Sequence, residues 1–458
     1  MGLSLGYGFK RRSYMILQKG RNFFSNQWAG GVVLLFFVVV AMILANLPWT
    51  ARFYHDVLQA PVGILVGGFE FEFEVEKFVN DGLMMIFFFT IGLEIKREVL
   101  YGHLSSVKQA ILPVAGAVGG MLFPALIYAL FNNGTPYAAG WGIPMATDIA
   151  FAIAIMSVVG KSVPVALKIF LTALAVADDL GAIVVIAIFY GSSVNFTLLA
   201  LAAVLLFVTW GMNKLKVDSF LPYVLVSVGL WFLFYFSGVH ATIAGVLLAM
   251  FIPSTPRYNK RYFINKIRHL MDEFVQKDSS APSLSDVQIY ELQRIGTIAN
   301  RSMSLAQRFE HMLAPWVNFL IMPLFALANA GVHISSVGEL NVFGTTQGLG
   351  ILFGLWIGKP LGITLVSWLF VKTRLAVMPQ GASWPMFFAV ACLGGIGFTM
   401  SIFIDTLAFA SNAEFIATGK IAILVASALA ALSGVWLIRH SCRKMASAGD
   451  KSIWCGAK

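Results

Sequence analysis

Two aspartates stand side by side in an apolar run, Asp178 and Asp179 in LTALAVADDLGAIVVIA. A third acid, Asp148, follows Thr147 in PMATDIAFAIA, and a lysine, Lys359, interrupts WIGKPLGI. Ionisable groups deep in such runs cost roughly 2.5–3.5 kcal/mol each at a helix centre on insertion scales, so they face partners or water. Lys168, near a run end, can snorkel to an interface, a route closed to mid-run Asp178 and Asp179. On a helix of about 3.6 residues per turn, adjacent side chains project about 100° apart. One aspartate is then free to be an ion ligand while the other pairs. A carboxylic acid taken out of water holds its proton more readily, which lets a proton and a sodium ion compete for the same oxygens. Such competition is the minimum machinery of an ion antiporter.

The elements that position these groups follow from composition. Of 458 residues, 58% are hydrophobic and 12% charged, about half the charged share of an average soluble domain. Apolar stretches of about eighteen or more residues are long enough to cross a hydrocarbon core of about 30 Å as helices. Spans are expected near 28–47, 78–99, 108–131, 138–159, 165–190, 194–212, 219–237, 239–252, 315–332, 345–371, 383–410 and 416–439. The net charge of +10 argues for topology rather than for nucleic acid, because Lys and Arg collect in alternate turns. Lys96 and Arg97, Lys161, Lys214 and Lys216, nine basic residues in 253–313, Lys372 and Arg374, and the tail share one side. The turns at 132–137, 191–193, 333–344 and 411–415 carry no Lys or Arg. Twelve spans with both termini cytoplasmic satisfy the positive-inside rule throughout. The basic N-terminal segment 1–27 precedes a first span too long for a signal-peptide core, so that span is expected to stay as an anchor. Cys392, Cys442 and Cys455 show no CxxC spacing and imply neither a disulfide nor a metal site.

Two spans read as broken. The fourth carries Gly142, Pro144 and Thr147-Asp148 near its middle, and the eleventh carries Gly394-Gly395-Ile396-Gly397. Irregular backbone at that depth is tolerated only where it lines a cavity or is buried in protein. The two run in opposite directions in the twelve-span topology, as inverted repeats formed by spans 3–5 and 10–12 would require, with the ion site between them. Outside the spans, FEFEFEVE at 69–76 has a period of two and reads as an extended strand in the outside loop 48–77. Residues 253–313 read as a cytoplasmic loop, and 441–458 as a cytoplasmic tail.

The segments ATDIAFAIA, ALAVADDLGAIVVIAIFY, SGVHATIAGV, PWVNFLIMPLFALANAGV, GKPLGI and GGIGFTMSIFI resemble the signature segments of the NhaA family of bacterial Na+/H+ antiporters, over about residues 24 to 440. The resemblance implies an all-α membrane protein with broken, crossing helices 4 and 11 in an antiporter domain 28–440, lodged in the bacterial inner membrane. It implies Asp178 and Asp179 as the Na+ and proton site, with Thr147 and Asp148 on the unwound chains beside it. It also implies that Asp148 offsets the positive helix ends at the crossing, while Lys359 offsets the negative ends and pairs with Asp178. Asp81, Glu94, Lys96, Arg97, Glu98, Glu310 and His311 match positions used for pH response around a cytoplasmic funnel. Expected further are electrogenic transport of Na+ and Li+ against H+ without a cofactor, activation by rising pH, and a homodimer joined through an outside β-hairpin near 69–76. Three departures stand out: Ala314 where a second histidine is usual, an uncommon Asp405, and a long 253–313 loop.

Two rivals compete with this reading. An intramembrane aspartyl protease needs facing aspartates and a GxGD motif, and adjacent Asp178 and Asp179 supply neither. A sodium-coupled solute symporter of related fold would move an organic substrate with the ion, which transport without any such substrate would exclude.

Overall fold

The computed structural model describes residues 27–66, 69–159, 163–191, 194–275, 284–332 and 344–447. Most of the N-terminal segment, the turn after residue 332 and the end of the tail lie outside them, as does most of the KDSSAPSLSD stretch. In hydrocarbon every backbone N–H and C=O must be satisfied within its own segment, which leaves the helix as the form an apolar run can take. Among the described residues, ten helices are long and apolar enough to span, and a pair bent by 46°, Trp384–Gly394 and Phe398–Ala408, makes an eleventh. The expected span at 239–252 is shorter than the sequence suggested. Its helix is Ala241–Phe251, 11 residues, about 16 Å long at 1.5 Å per residue against a core of about 30 Å. The cause is local: Gly238 takes a left-handed φ of 80° and ends the preceding helix, leaving His240 as the next N-cap, while Pro253 follows directly on Ile252.

The chain divides into two compact units. The first is formed by Met1–Met84, Glu98–Gly191 and Val317–Lys458. It holds an antiparallel ribbon of β1 (Pro61–Val66) and β2 (Phe69–Glu74), with Pro61 opposite Glu74 and Val66 opposite Phe69. The alternating run leaves the extended form after Glu74, since Val75 begins a helical turn. At the centre of this unit lie α1 (Val107–Asn132), α2 (Ile149–Val159), α3 (Val165–Phe189), α4 (Lys359–Lys372), α5 (Trp384–Gly394), α6 (Phe398–Ala408) and α7 (Ala413–Ser447). The helices α1 and α4 touch backbone to backbone where Gly119 faces Gly362, and a Cβ on either would strike the carbonyl of the other. That approach is open only to glycine, and it brings the start of α4, hence Lys359, into the protein interior.

The second unit comprises Met85–Arg97 and Ser192–Trp316. Its core joins Met85, Phe89, Leu230, Phe234, Ala244 and Phe309. Phe309 meets Phe89 and Phe220 edge to face, at centroid distances of 5.5 and 4.7 Å, the arrangement ring quadrupoles favour.

Candidate ion and proton site

The site is built where two helices fail. The fourth span begins as a 3-10 segment, Ala138–Met145, extends through Ala146 to Asp148, and resumes as α2. Glycines break the eleventh span, α5 ending at Gly394 and α6 starting at Phe398. Each break exposes backbone groups that the other satisfies: Asp148 N donates to Ile396 O at 2.7 Å. Farther along the chains, Ser401 Oγ donates to Ile143 O at 2.8 Å. The expected interruptions are therefore present, and the two interrupted chains are joined at their breaks.

Helices α2 and α6 both start at this junction, so two sets of orphan N–H groups, each a partial positive charge, come close together. Asp148 serves both. Its Oδ1 accepts from Phe151 N at 3.0 Å, and its Oδ2 accepts from Thr399 N at 3.2 Å and from Thr399 Oγ1 at 2.5 Å. Carbonyl ends gather on the opposite side. The ammonium of Lys359, fully buried, donates to Met145 O at the end of the 3-10 segment and to Asp178 Oδ2 at 2.6 Å. Lys359 reaches inward because it follows a π turn, Gly354–Gly358, which re-aims the first residue of α4.

The paired aspartates lie on α3 with 0% and 1% of their surface exposed. Asp178 Oδ2 holds Lys359 and also lies 2.7 Å from Thr147 Oγ1, which is 2.9 Å from Gly394 O. A hydroxyl has one proton to give, so Thr147 serves either the carboxylate or the carbonyl, and a change of charge at Asp178 decides which. Asp179 lies close enough for its charge to act on Lys359. Four of the five residues expected at the site, Thr147, Asp148, Asp178 and Lys359, meet at the crossing, with Asp179 beside them. Sequence reasoning missed Thr399 as second partner of Asp148. The signal was available: a threonine two residues past a glycine break, at the opening of a helix, supplies N-terminal donors.

The expected pH-response residues are distributed over both units. In the second, Arg97 donates to the Glu310 carboxylate and lies 3.7 Å from Glu94 Oε1, while Lys96 Nζ donates to Met250 O at 2.7 Å and Ile252 O at 2.5 Å. His311 is exposed. In the first unit, Asp81 is half-buried in the π turn Phe78–Leu83, and Glu98 accepts from His103 N at 3.0 Å. Glu310 thus has Arg97, another of the expected pH-response residues, as its close partner.

Comparison with known proteins shows the family. The sequence profile of the family described as Na+/H+ antiporter 1 matches residues 21–438. A Na(+)/H(+) antiporter NhaA of Oleidesulfovibrio alaskensis is 44% identical over 427 residues, 93% of this chain and 94% of that protein. A Na(+)/H(+) antiporter NhaA 2 of Helicobacter hepaticus is 45% identical over 88% of this chain and 91% of its own. An Escherichia coli O139:H28 Na(+)/H(+) antiporter NhaA is 43% identical over 91% and 96%.

Proposed function

The chain belongs to the Na+/H+ antiporter 1 family and exchanges Na+ for H+ across the bacterial inner membrane, and we propose that it does so at Asp178 and Asp179. The observation that carries this reading is the carboxyl pair buried at the crossing of two broken spans, with Lys359 held on Asp178. A bare sodium ion needs several oxygens to replace its hydration shell. The Asp179 and Asp178 carboxylates, the Thr147 hydroxyl and the Gly394 carbonyl are the oxygens on hand. Sodium approaching Asp178 displaces the Lys359 ammonium, which exchanges one positive charge for another at nearly constant electrostatic cost. Asp179 alternates between proton and sodium. Asp148 holds the helix ends together and keeps the junction from separating as ions come and go.

Lithium, a harder ion of the same charge, is a second cargo for these oxygens. Exchange is electrogenic, Asp178 taking up a second proton on the return step beside the one on Asp179, so that more protons enter than sodium ions leave and an inside-negative potential contributes about 2.3 kcal/mol per charge per 100 mV to sodium export. Both termini lie in the cytoplasm, in keeping with the basic turns on that side. Activation by rising cytoplasmic pH operates through Glu94, Arg97 and Glu310, with Asp81, Lys96, Glu98 and His311 contributing charge nearby in sequence. The β1–β2 ribbon joins two copies into a homodimer, its exposed edge being a template for another strand.

Sodium binding to purified protein tests the central reading. With at least one proton competing with each ion, the apparent affinity for Na+ falls by at least about tenfold per pH unit on the acid side. An affinity that ignores pH over the transport range would remove Asp179 as shared carrier.

A further inference from the structure

A second buried carboxyl lies beyond the exchange site on the same broken span. Asp405, one turn from the end of α6, is fully buried, and neither of its oxygens has a hydrogen-bond partner. Buried polar groups left unsatisfied are uncommon and costly, which calls for an account of this one. Three elements close around it. From α7, Gly419 lies so close that a Cβ would strike both carboxylate oxygens, and the next residue, Lys420, 8% exposed, is the charged neighbour of Asp405. From α1 and from the end of α3, Tyr128 and Tyr190 lie within range of its charge. Both hydroxyls are already engaged: Tyr128 donates to Tyr137 O at 2.8 Å, and Tyr190 donates to Ala139 O at 2.9 Å while accepting from Gly142 N at 3.1 Å. Lys420 has Glu76, half-buried beside β2, as its other acidic neighbour.

We propose that Asp405 is a proton-carrying station between the exchange site and the outer face of the membrane, where it would take protons from water and pass them inward. The rest of the geometry favours a proton over a sodium ion. A cation site needs converging oxygens, but the two tyrosine hydroxyls are committed to backbone carbonyls. A proton needs only the carboxylate. The position also fits. Asp405 precedes the turn 411–415, which has no Lys or Arg and so belongs outside by the positive-inside rule. Along α6, Asp405 stands about 9 Å from Thr399 at 1.5 Å per residue. Between them, one turn before Asp405 and on its face of the helix, Ser401 bonds Ile143 O, two residues before the carbonyl that receives Lys359. In transfer, a proton from outer water bonds to a carboxylate oxygen of Asp405, leaves that oxygen on its inner side, and neutralises a carboxylate of the pair.

The inference rests on the reading of Asp178 and Asp179 as the exchange site, and its test differs from theirs. Asp405→Asn and Asp405→Ser remove titration, whereas Asp405→Glu keeps it. In oriented proteoliposomes, exchange is recorded while outer and inner pH are varied separately. Both non-titrating variants should retain exchange but need about tenfold more outer protons for half-maximal rate, an acid shift of about one pH unit on that side alone, with Asp405→Glu close to the parent. Abolished exchange would instead mark failure of the station as distinct from the exchange site. The proposal is overturned if either non-titrating variant keeps the parent's outer-pH profile, if inner and outer profiles move equally, or if either loses its monodisperse fold, which would make the carboxyl a packing element between α6 and α7.

Discussion

Replacing Asp148 separates the structural half of the site from the ion-carrying half. Its carboxylate accepts from Phe151 N in α2 and from Thr399 N and Oγ1 in α6, so it is the N-terminal cap of two helices at once. Loss of one cap costs about 0.5–2 kcal/mol. Here both caps are buried, and Asp148→Ala leaves their donors without water, at about 1–3 kcal/mol for each unsatisfied group. For the three donors a total of about 3–9 kcal/mol is therefore expected, with the facing positive ends of α2 and α6 adding repulsion. Asp148→Asn is the informative variant. Its amide oxygen still caps one helix, but its NH2 meets the donors of the other, so about half the loss should remain. Thermal unfolding of detergent-solubilised protein measures the order: parent above Asp148→Asn above Asp148→Ala. Equal stability of Asp148→Ala and parent would refute the double cap. So would equal damage from Asn and Ala, because each carboxylate oxygen serves one cap.

Asp178→Asn strands the fully buried Lys359 charge, and breaking such a pair costs about 3–5 kcal/mol; Asp178→Asn with Lys359→Gln removes both charges and should recover stability and part of the exchange, read by thermal unfolding and by proton flux. Glu310→Gln removes one acidic partner of Arg97 and should shift the pH profile of transport by about half to one pH unit, leaving Na+ affinity at optimal pH within about twofold; a profile that stays in place in pH-jump flux assays would take the Arg97–Glu310 pair out of the pH response. Deleting residues 61–74 should turn dimer to monomer in native mass spectrometry while transport persists, and an unchanged dimer would remove the ribbon from the interface.

Much of the site was legible because bilayer physics makes deep charge expensive. Asp148, Asp178, Asp179 and Lys359 stand out as charges in apolar runs, and the glycine breaks mark where the backbone is irregular. Which residue meets which was not legible. Thr399 is an ordinary polar residue in sequence, and its role depends on the crossing that sets α6 against α2. Arg97 and Glu310 both stood among the expected pH-response residues, but their pairing joins positions far apart in the chain and is set by packing. The helix Ala241–Phe251 was overestimated because hydropathy does not register the left-handed Gly238 or the exit at Pro253. The isolation of the Asp405 oxygens likewise depends on the contact of α7 through Gly419.

The claim that Asp179 carries both sodium and proton is tested most directly by Asp179→Asn, which keeps the shape of the side chain and removes its charge and its titration. Purified variant and parent are compared in proteoliposomes at equal protein density, with internal pH followed after addition of Na+. No Na+-dependent proton flux is expected from Asp179→Asn at any pH, with thermal stability near the parent and no rescue by a second change at Lys359. Full exchange by Asp179→Asn would contradict it.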